Sequence, residues 1–355
     1  MPISQLKRCV IGDISVSESC NILISSAGRR VALMRLFRAS LAELGVEGQI
    51  LAADLRASSS AFQEADRAVY APRFGEPSFI PDMLEICHTH HVRLLVPTVD
   101  TELELYAAAR EQFAEIGTLV TVSDPETVVI SCDKERTHKW LVEEGIPTPR
   151  QTTPQGVLDH PDDWSLPLLA KPRWGSSSIG VMRLETAEDV RKAERRDDMI
   201  VQTIAPGREY TVDVFVNRDG RVCCTVPRLR IETRGGEITK GVTVRSKPIQ
   251  KLARWVCASL PGAQGVFNVQ IFSDDTTGAL NVIEFNPRFG GGYPLAHQAG
   301  GVYTLWLIEE TLGRPCGATD ETWSDGVVML RYDNAIFCTR AQAGLDEPPP
   351  RGIPT

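Results

Sequence analysis

The sequence predicts a two-part chain: an α/β domain with a parallel, doubly wound sheet, followed by an α+β unit built on antiparallel sheets. Three observations carry this. Up to about residue 125, short apolar runs alternate with helical segments, the pattern of a parallel sheet. From about 126 onward, apolar runs are joined by short polar turns such as "NRDG" and "DDTTG", which read as hairpins. With 355 residues, the chain is also too long for one small core.

The first strand is Ile22–Ile24 in "CNILISSAGRR". A small-residue turn follows, then the helix "VALMRLFRASLAELG", stopped by Gly45. "GQILAADL" is a second strand ending near Asp54, "VRLLVPTVD" a third and "GTLVTVSD" a fourth. Gly28 is the only glycine in the first strand-to-helix turn, so the GxGxxG signature of dinucleotide binding is absent. This argues against a nicotinamide-dependent oxidoreductase. The strand ends of such a sheet still form a crevice, and Arg29, Arg30, Asp54, Asp100 and Glu102 fall around it. Ordinary helix-start and loop polarity accounts for these residues equally well.

In the second half, "SCDKERTHKWLVEEGIPTPR" is a helix with Gly145 as its stop and a rigid Pro147-x-Pro149 exit. "PLLAKPRWGSSSIGVMRL" reads strand, loop, strand. "REYTVDVFV", "GVFNVQIFSDD" and "ALNVIEFNP" are further strands, and "VYTLWLIEETLG" is a closing helix.

Composition narrows the function. The net charge of −8 and pI near 5.4 do not call for nucleic acid as a partner. No run of 18 apolar residues is present, so no membrane span is read. The first twenty residues lack the continuous apolar stretch of a secretory signal and read as a loose leader. Residues 336–355, rich in proline near their end, read as a loose tail. Nine cysteines without a CxxC pair suggest reduced thiols and a cytoplasmic protein. "HTHH" at 88–91 lacks cysteine or acidic partners at ligand spacing and reads as a helix end.

Three stretches carry chemistry. In "NVIEFNPRFGGGYP", strand alternation puts Val282, Glu284 and Asn286 on one face and Ile283 and Phe285 on the other. Across the hairpin, Gln270 faces Glu284 to within one residue of register, so Gln270, Glu284 and Asn286 converge. One carboxylate and two amides make a poor all-protein cage for Mg²⁺, but a reasonable one if phosphates complete the shell. A polar, solvated sheet face explains the same alternation. In "AKPRWGSSSIG", Lys171 ends a strand; Ser176, Ser177 and Ser178 between glycines suit an anion cradle or a plain hairpin tip. In "IVQTIAPGREYTV", Gln202 ends a strand and Glu209 opens the next, as a base- and ribose-reading pair or as a turn with a salt-bridging acid would.

Taken in order, Lys134 in "DKERTHKWLVEEGIPTP", Lys171 and its Gly/Ser loop, Gln202 and Glu209 in "VQTIAPGRE", Gln270 in "NVQIF" and Glu284-x-Asn286-x-Arg288 in "EFNPRFGG" resemble the ATP-grasp superfamily. Gln270 in place of an aspartate looks like its carbamoyl-phosphate-synthase large-chain and biotin carboxylase branch. The resemblance spans roughly residues 21–315. It implies a pre-ATP-grasp domain over 21–125 and an ATP-grasp domain over 126–335, with a lid at about 135–202.

The resemblance also implies roles. Lys134, Lys171 and the serines 176–178 would contact ATP phosphates. Gln202, Thr203 and Ile204 would meet adenine, and Glu209 the ribose. Gln270, Glu284 and Asn286 would face Mg²⁺ (or Mn²⁺ in its place), and Arg288 the transferred phosphoryl group. The implied reaction joins a small carboxylate, activated as an acyl phosphate, to an amine. A nucleotide-binding regulatory module and a bicarbonate-activating enzyme of carbamoyl-phosphate type stay open, as does a homodimer. The charged segment 226–241 reads either as a solvated hairpin or as a loop that binds an acidic substrate.

Overall fold

The computed structural model describes residues 18–175 and 179–346. Five parallel strands open the chain: β1 (Asn21–Ser25), β2 (Ile50–Asp54), β3 (Arg67–Tyr70), β4 (Val92–Pro97) and β5 (Leu119–Val120). They pair in the order β3-β2-β1-β4-β5. β1, β2 and β4 are almost wholly buried, which explains their unbroken apolar runs. β3 is a half-exposed edge that the sequence pattern did not reveal. The order reverses between β1 and β4, so the crevice of this sheet opens beyond their carboxyl ends. Arg30 follows β1 there, and Asp100 follows β4.

A small antiparallel sheet comes next, from β6 (Gln151–Thr152), β7 (Leu168–Pro172), β8 (Met182–Leu184) and β9 (Met199–Thr203), ordered β6-β9-β7-β8. It has its own core of Val157, Leu168, Ala170, Leu184, Val190 and Val201. The helix Lys134–Glu143, which the expected lid of 135–202 includes, packs elsewhere: Leu141 is buried in the core of the large sheet.

That large sheet contains β10 (Arg208–Val216), β11 (Val222–Arg234), β12 (Glu237–Thr243), β13 (Gly265–Ser273), β14 (Leu280–Asn286) and β15 (Val328–Leu330), ordered β14-β13-β10-β11-β12-β15. All its pairings are antiparallel. One of its faces covers the amphipathic helix Lys247–Ser259 through Val212, Val214, Phe267 and Phe285.

The first sheet and the large sheet share a core. Ile22, Met34 and Phe37 pack with Phe215, Phe289, Tyr293, Tyr303 and Trp306. The helix Val31–Leu44 lies against Tyr303–Thr311, where Ser40 Oγ and Thr304 Oγ1 are 2.8 Å apart. This packing sets the crevice of the parallel sheet against the large sheet.

The ends of the chain depart from expectation at one point. Residues 18–20, expected in the loose leader, are packed: Ser19 bridges to Glu47, and Cys20 is fully buried with its amide on Glu47. An apolar Cys20 under the first sheet gains more from burial than a free leader would. Residues 1–17 and 347–355 lie outside the described residues. Among the described residues of the tail, Phe337 is almost fully exposed, while the Gln342 carbonyl accepts from Gln63.

Candidate active site

The central finding concerns the strand β14. Asn268 pairs with Asn286 and Gln270 with Glu284. After Gln270 the register slips, so Ile271 pairs with Val282. Ile283 is the extra residue of a β-bulge, and a bulge reverses the facing of what precedes it. The simple alternation is therefore corrected: Val282 joins Phe285 in the core, both fully buried, while Glu284 and Asn286 face the cavity.

That cavity is lined by Asn268, Gln270, Glu284, Asn286 and Arg288 on one side, and by Arg30, Arg228, Arg230 and Glu237 on the other. Gln270, Glu284 and Asn286 are thus brought together. Lys171 on β7 is buried outside the lining, within the field of Glu284. Burial lowers the affinity of its amine for a proton; Glu284 works against that and Lys134 with it. Glu209 is also within the field of Glu284. Its carboxyl is pushed up by burial, while Arg230, 2.9 Å away, holds it down. The candidate phosphate and ribose residues thus share one electrostatic neighbourhood with Glu284.

The end of β7 is tied to the helix Lys134–Glu143. Lys134 Nζ donates to the carbonyls of Arg173 (3.4 Å) and Gly175 (2.5 Å). Arg173 grips Asp133 through Nε (2.7 Å) and Nη2 (2.5 Å). Ser176, Ser177 and Ser178 lie outside the described residues. On β9, Gln202 is buried and its amide donates to Gln151 Oε1 at 2.7 Å. Thr203 and Ile204 follow at the strand end, with the Ile204 side chain part-exposed. These three do not line the cavity of Glu284.

Arg288 is placed in a way that sequence reasoning did not show. Its planar fork closes on Asp100, Nε to Oδ1 at 2.8 Å and Nη2 to Oδ2 at 2.6 Å. Asp100 belongs to the parallel sheet's crevice, so this ion pair crosses between the two halves. Glu102, expected in the same crevice, is fully buried instead, accepting from Ser25 Oγ (2.7 Å), Ser26 Oγ (2.9 Å) and the Thr98 amide (2.9 Å).

The three glycines after Arg288 are explained by space. A methyl on Gly290 would lie 2.0 Å from Asn268 Oδ1. On Gly291 it would meet the Glu237 carboxylate at 2.8 Å, and on Gly292 the Arg228 guanidinium at 2.3 Å. The loop passes tightly over cavity-wall side chains, with no room for a Cβ. The same three glycines also line the cavity.

The 226–241 segment is the β11–β12 hairpin, and its charges divide by position. Arg228 is buried in a two-point ion pair with Asp213. Arg230 pairs with Glu209 and donates to the Gly236 carbonyl at 2.9 Å. Glu232 and Lys240, in contrast, pair with each other on the exposed face. Arg228, Arg230 and Glu237 are the site residues that local sequence left undecided. Among the described residues, no group of three or more His, Cys, Asp or Glu side chains is placed to hold a metal. No helix among them is long and apolar enough to cross a membrane.

Residues 131–292 match the ATP-grasp domain family, and residues 22–122 match the PylC-like N-terminal domain family. The chain thus carries an ATP-grasp domain behind a PylC-like N-terminal domain, and its fold is similar to that of biotin carboxylase. It is 29% identical over 210 residues to the D-alanine–D-alanine ligase of Corynebacterium aurimucosum, covering 51% of this chain and 59% of that protein. The chain therefore spans less than two thirds of that relative. In fold it is similar to the biotin carboxylase domain of Hydrogenobacter thermophilus 2-oxoglutarate carboxylase, solved with MgADP, ADP and bicarbonate. The TM-score is 0.68 at 17% identity, covering 87% of this chain and 73% of that one. It is also similar to N5-carboxyaminoimidazole ribonucleotide synthetase from Thermotoga maritima, with a TM-score of 0.61 at 19% identity, covering 85% and 78%.

Proposed function

We propose that this protein is an ATP- and Mg²⁺-dependent ligase that activates a small carboxylate as an acyl phosphate and couples it to an amine. The observation that carries the reading is the convergence of Gln270, Glu284 and Asn286 on one cavity wall, with Lys171 buried in the field of Glu284. The match to the ATP-grasp domain and the similarity to a D-alanine–D-alanine ligase support it.

The donor set fits a hard divalent ion in part. One carboxylate and two amide oxygens leave coordination positions for phosphate and water, as Mg²⁺ prefers. Once bound, such an ion supplies charge neutralisation to the phosphates. Lys171 and Lys134, with the serines of the 176–178 loop, are assigned to the phosphates. Gln202 gives one amide N–H to Gln151, and adenine recognition is assigned to its remaining amide groups and the backbone around Thr203 and Ile204. Glu209 is assigned to the ribose. With the Arg288 fork closed on Asp100, Nη1, which donates one hydrogen bond to the Phe289 carbonyl at 3.3 Å and has a second N–H, is the group assigned to the transferred phosphoryl. In the reaction, a carboxylate oxygen bonds to the γ-phosphorus as ADP leaves. The amine nitrogen then bonds to the acyl carbon as phosphate leaves, and the amine releases a proton. Residence in the cytoplasm and assembly as a homodimer are part of the same proposal.

Calorimetry tests the reading first. Mg·AMP-PNP should bind, and NAD should not. Glu284→Gln should raise the Mg²⁺ concentration needed for nucleotide binding. ADP release, followed with mass spectrometry across amino acids, dipeptides, hydroxy acids and bicarbonate, then identifies the product. Binding of NAD without binding of the ATP analogue would overturn the assignment.

A further inference from the structure

We infer that Arg30 holds a substrate carboxylate other than the one being activated. Resting on the ligase reading, this narrows the substrates to an acid with a second negative group or an amino acid acting as the amine.

Four guanidinium groups line the cavity: Arg30, Arg228, Arg230 and Arg288. Three already have a carboxylate. Arg228 is paired with Asp213, Arg230 with Glu209 and Arg288 with Asp100. Arg30 is the one left over. Its only hydrogen bond among the described residues is a long one, 3.5 Å from Nη2 to the Thr98 carbonyl. No carboxylate among them comes within ion-pair distance of it. The side chain is nevertheless partly buried, and a desolvated charge without a partner is costly.

The acids near Arg30 are committed elsewhere. Its charge neighbours are Arg288, Glu237, Asp100 and Arg331. Asp100 is gripped by Arg288, and Glu237 is 2.8 Å from Arg331. The local balance therefore leaves room for one more anion. The helix Val31–Leu44 adds to it: Arg30 stands at its N-terminus, which has no side-chain cap and no acid in the first turn. Its partial positive charge has the same sign as the Arg30 field.

The cavity has two electrostatic ends. Glu284 shares its field with Lys171 and Glu209, at the end assigned to metal and phosphate. Arg30 shares its field with Asp100, Glu237 and Arg288, all at the junction with the first sheet. The carboxylate being phosphorylated meets the phosphoryl group assigned to Arg288, so an anion held by the separate guanidinium of Arg30 is a second group. Among the described residues of the lining Ile238 is the only aliphatic side chain, so the rest of the substrate is small and polar.

The test uses the full chain, with malonate, succinate, glutarate, acetate, glycine and L-alanine as unreactive probes. Each is titrated by calorimetry with and without Mg·AMP-PNP, in wild type, Arg30→Gln and Arg30→Lys. Wild type should bind at least one dicarboxylate or amino acid at least tenfold more tightly than acetate. Preference among the three diacids reports the spacing between the two anion positions. A preference for glycine or L-alanine places the carboxylate on the amine substrate instead. Arg30→Gln should lose that preference, and Arg30→Lys should keep part of it. In Arg30→Gln the melting temperature should stay unchanged or rise, because an unpaired charge has been removed, and Mg·AMP-PNP should still bind. Failure of wild type to prefer any probe over acetate, or equal binding by Arg30→Gln, overturns the assignment. Failure of wild type to bind Mg·AMP-PNP sinks the ligase reading separately, since the titrations without nucleotide read Arg30 on their own.

Discussion

Arg288 and Asp100 stand 188 residues apart in the chain and join in a two-point ion pair, Nη2 to Oδ2 at 2.6 Å, between the large sheet and the crevice of the parallel sheet. Both side chains are mostly covered. The pair makes Arg288 a tie between the two halves of the molecule as well as part of the cavity wall. Phe289 continues the tie, packing edge-on against Phe37 of the helix Val31–Leu44.

Removing one partner from this pair should cost stability, because the other is left charged and covered. Asp100→Asn and Arg288→Gln should each destabilise by about 2 kcal/mol. The double variant should cost clearly less than the sum, with a coupling above about 1 kcal/mol. Urea unfolding of the four proteins gives the cycle. Additive costs would mean the contact is worth little in solution.

The glycine loop makes a steric prediction. Gly290→Ala drives a methyl onto the Asn268 amide, which donates to the Arg288 carbonyl. It should destabilise by about 1–3 kcal/mol through overpacking and weaken nucleotide binding by displacing the cavity wall. Gly75→Ala serves as the comparison, since an added Cβ there meets nothing within 4 Å. That variant should be neutral or slightly stabilised. Equal melting temperatures for the two variants would refute the steric account.

Lys171 is a buried amine without an ion pair among the described residues. Lys171→Met should therefore fold at least as stably as wild type. Its affinity for Mg·AMP-PNP should fall roughly thirtyfold, the equivalent of one charge-assisted contact of about 2 kcal/mol. Melting curves beside nucleotide titrations read both effects. A large loss of stability with unchanged affinity would assign Lys171 to the fold alone.

His297 sets a pH dependence. Burial lowers its pKa from 6.5 to about 4. Its Nδ1 lies 3.1 Å from Tyr293 Oη, in the core shared by the two halves. Between those two values the unfolded chain binds a proton that the folded chain refuses, so stability falls as the pH drops from 6.5 towards 4. The contribution is at most about 3 kcal/mol. Comparing unfolding at pH 7 and pH 4.5, His297→Gln should show a smaller loss than wild type. An unchanged pH slope would show that His297 stays accessible to protons.

Some of the site was legible because its determinants are local. Gln270, Glu284 and Asn286 were placed together by strand periodicity and by one short hairpin, and both depend on residues close in sequence. The bulge at Ile283 was not legible. Alternation assumes an unbroken ladder, and apolar Val282 and Phe285 are satisfied only by the slip that puts both in the core. The segment 226–241 was ambiguous for another reason. A run of charges looks alike whether solvated or buried, and the partner that settles Arg228, Asp213, lies on the neighbouring strand.

By itself, the sequence determined the change from a parallel to an antiparallel half, most of the strands and the identity of the polar residues on the cavity-facing strand β14. These follow from backbone periodicity and turn chemistry, which act over a few residues. Tertiary structure alone decided which charges are neutralised. Asp100 reaches Arg288, Glu209 reaches Arg230 and Asp213 reaches Arg228, while Arg30 is left without a carboxylate among the described residues. It also decided why three glycines follow Arg288, since the atoms they make room for come from β11, β12 and β13. Ion pairing and close packing depend on distances in space between residues far apart in the chain, and only the folded arrangement of the two sheets sets those distances.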